Sequence, residues 1–223
     1  MEAAHSDIIN LFGLSVNFRI TIMTWVVMLI LIVISWLASR KLEWVPKGWQ
    51  NLMEFVIEFI EDLMKGSMGS RATRYVYFFG SLFLFIFVAN MLGLVPRLTS
   101  PTRDVNVTLC LALLWLVWAQ YIAIRESGIG HYLKHYIEPF PPFILIHVLE
   151  LATRPLTLAL RLFGNIFAGE ILLEKFYEVF PPLVPTAWLL MSVAIGAIQA
   201  FIFTALSVSY TGLSVSHEDN SNH

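Results

Sequence analysis

Between Pro139 and Glu178 lies a stretch that is apolar overall yet carries Glu150, Arg154, Arg161, Glu170, Glu174, Lys175 and Glu178. Charge among so many aliphatic residues is costly, and each such group is a candidate for chemistry. On an ideal helix turning about 100° per residue, Arg154 lies about 40° from Glu150, Arg161 about 20° and Asn165 about 60°. These four share one polar stripe. Glu170 falls roughly opposite Arg161, about 13 Å further along the axis, so two separate polar environments are expected. Glu150 and Arg154, four residues apart, predict a simple ion pair. Arg161 differs, because Leu158, Leu160, Leu162 and Phe163 surround it and no acid sits one turn away. A guanidinium cannot shed its proton. Its expected partner is a carboxylate on another chain.

A second polar group stands in the last apolar run. Gln199 lies among Gly196, Ala197 and Ala200, a small-residue pattern that lets membrane helices approach closely. A buried amide there needs partners. A facing Arg161/Asn165 stripe would supply them, and a carbonyl of a helix backbone is the simpler alternative.

These groups need elements to hold them, and composition says which. The chain has 223 residues, 57% hydrophobic and 13% charged, with a mean hydropathy of +0.72. Soluble domains carry about 25% charge, so an ordinary cytosolic globule is excluded. With 14 Lys+Arg against 16 Asp+Glu, so is a basic nucleic-acid binder. One cysteine, Cys110, excludes a disulfide framework or a cysteine-based zinc site. No metal site and no cofactor are expected. Runs of about 20 apolar residues mark membrane spans. The sequence predicts an all-α polytopic membrane protein, a single membrane domain over 1–223. Five transmembrane helices are expected at about 20–39, 75–96, 105–124, 142–176 and 186–212. The fourth and fifth would form a long tilted helical hairpin, with Pro155 tolerated inside the fourth.

Residues 47–66 read as an interfacial amphipathic helix, with Trp49, Leu52, Val56, Ile60 and Leu63 on one side and Glu54, Glu58 and Glu61 on the other. Its acidic polar face suits docking on a protein neighbour at least as well as a lipid surface. Basic residues crowd the 40–74 and 125–138 connections, eight against four on the other side. That asymmetry places the N-terminus outside and the HEDNSNH tail in the cytoplasm. No transit peptide precedes the first span, which favours a bacterial plasma membrane.

The segments RPLTLALRLFGNIFAGE (154–170), AIQAFIF (197–203), FVANMLGLVP (87–96) and PTRDVNVTLCLAL (101–113) together resemble subunit a of the rotary F-type ATP synthases. The resemblance runs from about the first span to Tyr210. It implies a non-catalytic, ion-translocating stator beside a rotating ring of c subunits. A peripheral stalk subunit b would brace it, and the catalytic head would be coupled only indirectly. Two half-channels would carry protons, or sodium ions in some members. The resemblance makes Arg161 the essential charge facing the ring carboxylate. It carries Glu170, Gln199, Asn165 and Asp104 over as half-channel or arginine-supporting groups. Ser192, seven residues before Gln199, stands where some members have a histidine paired with the glutamate of AGE. Glu150 could line the cytoplasmic half-channel.

Two other classes fit less well. An independent secondary transporter or ion channel would be expected to show paired repeats and broken helices, and no internal repeat is present. An intramembrane enzyme would have only His131 and His135 as a candidate dyad, without HExxH, GxSxG or a nucleotide-binding glycine loop.

Overall fold

The computed structural model describes residues 8–11, 14–40, 43–95, 98–128, 143–179 and 183–216. His131, His135 and the 217–223 tail lie outside them. Two four-residue strands, β1 (Ile8–Leu11) and β2 (Leu14–Asn17), pair antiparallel with Ile8 opposite Asn17. Among the described residues, six α-helices follow them: α1 (Phe18–Ser39), α2 (Trp49–Met68), α3 (Ala72–Leu92), α4 (Val105–Ser127), α5 (Phe143–Val179) and α6 (Leu183–Ser216). Among the described residues, five of these helices are long and apolar enough to cross a membrane. The protein is a multi-pass, all-α membrane protein.

The helix ends follow local chemistry. The Asp104 carboxylate accepts the Asn106 N–H at 2.8 Å and so caps α4. Gly69, with φ of +57°, ends α2 in a conformation that favours glycine. Within α1, Thr21 and Thr24 return their hydroxyls to the Asn17 and Ile20 carbonyls. That satisfies two donors that hydrocarbon could not. The third helix stops at Leu92, short of the expected 96: Leu94 and Val95 donate to the Met91 and Leu92 carbonyls three residues back, and a Cβ on Gly93 would come within 2.5 Å of the Ser100 Cβ.

Helix α5 runs unbroken for 37 residues with Pro155 inside it. At about 1.5 Å per residue, it is roughly 55 Å long against a hydrocarbon core of about 30 Å. It must lie obliquely, and the same holds for α6 with 34 residues. The core between them, α3 and α4 holds Phe79, Ile86, Trp115, Ile122, Leu158, Leu162 and Phe203, all essentially buried. Trp115 joins α4 to α6 by donating its indole N–H to the Ser207 carbonyl at 3.1 Å. Helix α1 is peripheral, burying only Val27 and Ala38 among its described side chains.

The amphipathic helix departs from expectation in what covers its apolar face. Val56, Ile60, Met64 and Met68 join the chain's own core. Phe59 packs against Phe83 and Phe201, and Ser67 presses on Gly212. The main apolar face of α2 therefore docks in cis. The periodicity identified a face to bury but could not say that α3 and α6 bury it. A flank with Trp49, Leu52 and Phe55 stays exposed.

Candidate functional site: a lone guanidinium and a glutamate-lined cavity

Two polar environments do appear on the α5–α6 hairpin. Arg161 projects from the exposed side of α5, while its neighbours Leu158 and Leu162 point into the core. Among the described residues, none forms a hydrogen bond or an ion pair with its guanidinium. Exposed apolar side chains occur on both helices of the hairpin, among them Leu156, Leu160 and Phe167 on α5 and Leu190, Met191 and Ile198 on α6. Arg154 contrasts with it. Its guanidinium pairs with Glu150 as expected, and it also lies over the Tyr210 ring, 5.0 Å from the centroid.

The second environment is a cavity of about 200 Å³ between α3, α5 and α6. Its wall is mainly apolar, with Leu94, Ile166, Leu172, Leu173 and Ile195, and Asn90, Asn165, Glu170, Trp188 and Ser192 supply its polar groups beside Gly93. Three expected residues, Asn165, Glu170 and Ser192, thus share one space. Glu170 and Ser192 do not bond each other. The Ser192 hydroxyl donates to the Trp188 carbonyl at 2.9 Å, and the Trp188 indole N–H reaches across to the Gly169 carbonyl at 3.1 Å. Gln199 is buried, and its Nε2 has no hydrogen-bond partner among the described residues. The Arg161/Asn165 stripe does not supply one.

Glu170 has a different partner from the expected one. Its Oε2 accepts from Arg103 Nη1 at 2.9 Å. Its Oε1 is buried beside Gly93 and Ser100 without a well-formed hydrogen bond. Asp104, the neighbour expected to take part, is spent on capping α4.

The turn bearing Arg103, Pro101–Arg103, is tied to α3 by a buried network. The Ser100 hydroxyl donates to the Ala89 carbonyl at 2.9 Å, and the Thr102 hydroxyl donates to Asn90 Oδ1 at 2.8 Å. Asn90 Nδ2 in turn donates to the Gly196 carbonyl at 3.0 Å. Sequence reasoning missed Asn90, Ser100, Thr102 and Trp188. One signal was available for the first: an asparagine in an otherwise apolar span must find partners inside the protein. Since Gly93, Ser100, Glu170 and Trp188 meet here, the α3–α4 and α5–α6 connections lie at the same end of the bundle.

The opposite end is fastened by Glu126, whose carboxylate receives Arg74 Nη1 at 2.8 Å and the Tyr75 hydroxyl at 2.5 Å, with Arg71 Nε at 3.6 Å. Among the described residues, no group of His, Cys, Asp and Glu could hold a metal ion.

Comparison with known proteins agrees with the architecture. A family model described as ATP synthase A chain matches residues 21–212. The chain is 40% identical to the ATP synthase subunit a of Gloeobacter violaceus, covering 94% of this chain and 88% of the relative. It is 35% identical to that of Desulforamulus reducens, over 94% and 84% of the two chains. The Moorella thermoacetica counterpart is 33% identical, over 94% of each.

Proposed function

Because the chain belongs to the ATP synthase A chain family, we propose that it is the membrane stator that moves ions to and from a rotating ring, and that Arg161 is its central charge. The observation that carries this is the Arg161 guanidinium, exposed on an apolar helix of membrane-spanning length and without a partner among the described residues. A permanent cation without a counter-charge among the described residues calls for a carboxylate arriving from a partner. As a ring carboxylate approaches, the positive charge favours its ionised form and drives off its proton or bound cation. The same charge opposes direct leakage of a cation between the two sides.

The Glu170 cavity serves as the outer half-channel, with Asn165 and Ser192 as polar wall groups. Glu150, exposed beside Arg154, lines the cytoplasmic approach. Gln199, buried on α6, is a supporting polar group of the path in this reading. Asp104 contributes by fixing the start of α4. The subunit carries no ATP chemistry of its own. Its partners are the c-ring, a peripheral stalk subunit b, lipid and, indirectly, the catalytic head. The exposed Trp49–Phe55 flank of α2 remains available to the stalk or to lipid. The basic connections place the N-terminus outside and the C-terminus in the cytoplasm of a bacterial plasma membrane.

The test is coupled ATP synthesis by the reconstituted complex, with and without sodium, for the native chain and for Arg161→Lys. Lysine is shorter and can lose its proton when desolvated. The expected result is an assembled complex without synthesis, whereas near-normal synthesis by Arg161→Lys would remove Arg161 from the mechanism.

A further inference from the structure

The ion pair between Arg103 and Glu170 is not an ordinary surface contact. Ion pairs between free side chains on a surface contribute little, because ordering both partners offsets the attraction. Here one partner is ordered in advance. Thr102 and Ser100, either side of Pro101, are completely buried, and their hydroxyls bind the α3 groups Asn90 and Ala89. Asp104, on the other side, caps α4. The backbone at Arg103 is thus clamped on both flanks, and its side chain spans from the turn to α5. The two ends of the pair also differ in exposure: the arginine side chain is 44% exposed and the glutamate 21%. The guanidinium stands on the open side, the carboxylate on the cavity side.

We propose that Arg103 is the positioning residue of this cavity, holding the Glu170 carboxylate at the rim where a small monovalent cation enters. The proposal rests on the reading of the cavity as an ion path. A carboxylate that passes a cation onward must keep a fixed distance to the donor before it and the acceptor after it, and small displacements lower the rate steeply. Without Arg103, Glu170 loses the charged partner that fixes its Oε2 and keeps only the Ser100 backbone N–H, whose contact falls short of a well-formed hydrogen bond.

The experiment is ATP-driven ion pumping by the complete complex in proteoliposomes, normalised to assembled subunit. The variants are Arg103→Gln, Arg103→Lys, Glu170→Gln and the double Arg103→Gln/Glu170→Gln. Arg103→Gln should slow pumping about three- to ten-fold, the scale of losing one ordinary hydrogen bond, since the arginine is partly exposed. Arg103→Lys should restore most of the rate. Glu170→Gln should also be slow, and adding Arg103→Gln to it should change nothing further, because Arg103 acts through that carboxylate. If Glu170→Gln is slow while Arg103→Gln pumps normally, the positioning role is overturned and the ion path stands. A double variant slowed by the full additional factor of Arg103→Gln overturns the role as well. If Glu170→Gln pumps at the native rate, the outer path itself is overturned.

Discussion

Asn90 on α3 and Gly196 on α6 hold the two helices together through one hydrogen bond, amide Nδ2 to backbone carbonyl at 3.0 Å. Glycine makes this approach possible, since a Cβ at 196 would come within 3.1 Å of the Met91 Cε and 3.3 Å of the Asn90 Cβ. The methionine end is flexible and can yield, but the Asn90 Cβ cannot. Gly196→Ala should therefore leave an assembled, weakened complex, and Gly196→Leu should abolish assembly. Immunodetection of the subunit in purified complex would measure both. Normal incorporation of Gly196→Leu would contradict a close α3–α6 contact.

A stricter case is Gly212. There an added Cβ would meet the Ser67 carbonyl oxygen at 2.7 Å and the Ser67 Cβ at 2.9 Å. Backbone cannot swing aside as a side chain does. Gly212→Ala should push α2 off α6 and destabilise the subunit by about 1–3 kcal/mol, read as an earlier thermal loss of coupled activity. Gly66→Ala, on α2, where an added Cβ meets nothing within 4 Å, is the matched control and should be neutral or slightly stabilising.

Glu126 should matter more for stability than its position near a helix end suggests. It neutralises Arg74 and Arg71 and accepts the Tyr75 hydroxyl. Glu126→Gln would leave two neighbouring cations without their shared counter-charge, a loss of about 1–3 kcal/mol. Tyr75→Phe removes a single donor and should cost about 1 kcal/mol. Dissociation temperatures of the detergent-solubilised complex would rank the two, and equal effects would contradict the shared role of the carboxylate.

Ser192 offers a direct probe of water in the cavity. In a Cys110→Ser background, which removes the exposed native thiol, Ser192→Cys in the assembled complex should react with silver ions added from outside and lose pumping. Val208→Cys, at a fully buried position on the same helix, should stay unreactive. Protection of position 192 would mean that the cavity is sealed.

Elements set by local physics could be read from the chain; pairings set by distant contacts could not. The apolar runs announced five helices of membrane-spanning length, because a bilayer imposes a length whatever the neighbours are. Glu150 with Arg154 was legible for a related reason, as one helical turn determines it. Glu170 with Arg103 was not, since it depends on a turn folding back from α3 towards α5. Asp104 and Arg103 show the difficulty: adjacent in sequence, one caps a helix while the other reaches Glu170. The α2 periodicity likewise revealed an apolar face but not its occupant, which is a packing question. Arg161 was conspicuous because nothing nearby could pair with it, and the structure keeps it so among the described residues.

A fixed cation inside an energised membrane bears a mechanical load. Carrying one elementary charge through the full potential is worth about 2.3 kcal/mol per 100 mV, and a guanidinium fastened to α5 feels its share as a pull along the field. The fastenings around Arg161 oppose that pull from both directions. On one side, Trp188 grips the Gly169 carbonyl. On the other, Arg154 is held by Glu150 and the Tyr210 ring. Between them Leu158 and Leu162 are locked in the core. A helix that crept along its axis would let the field do work on the frame instead of on the rotor.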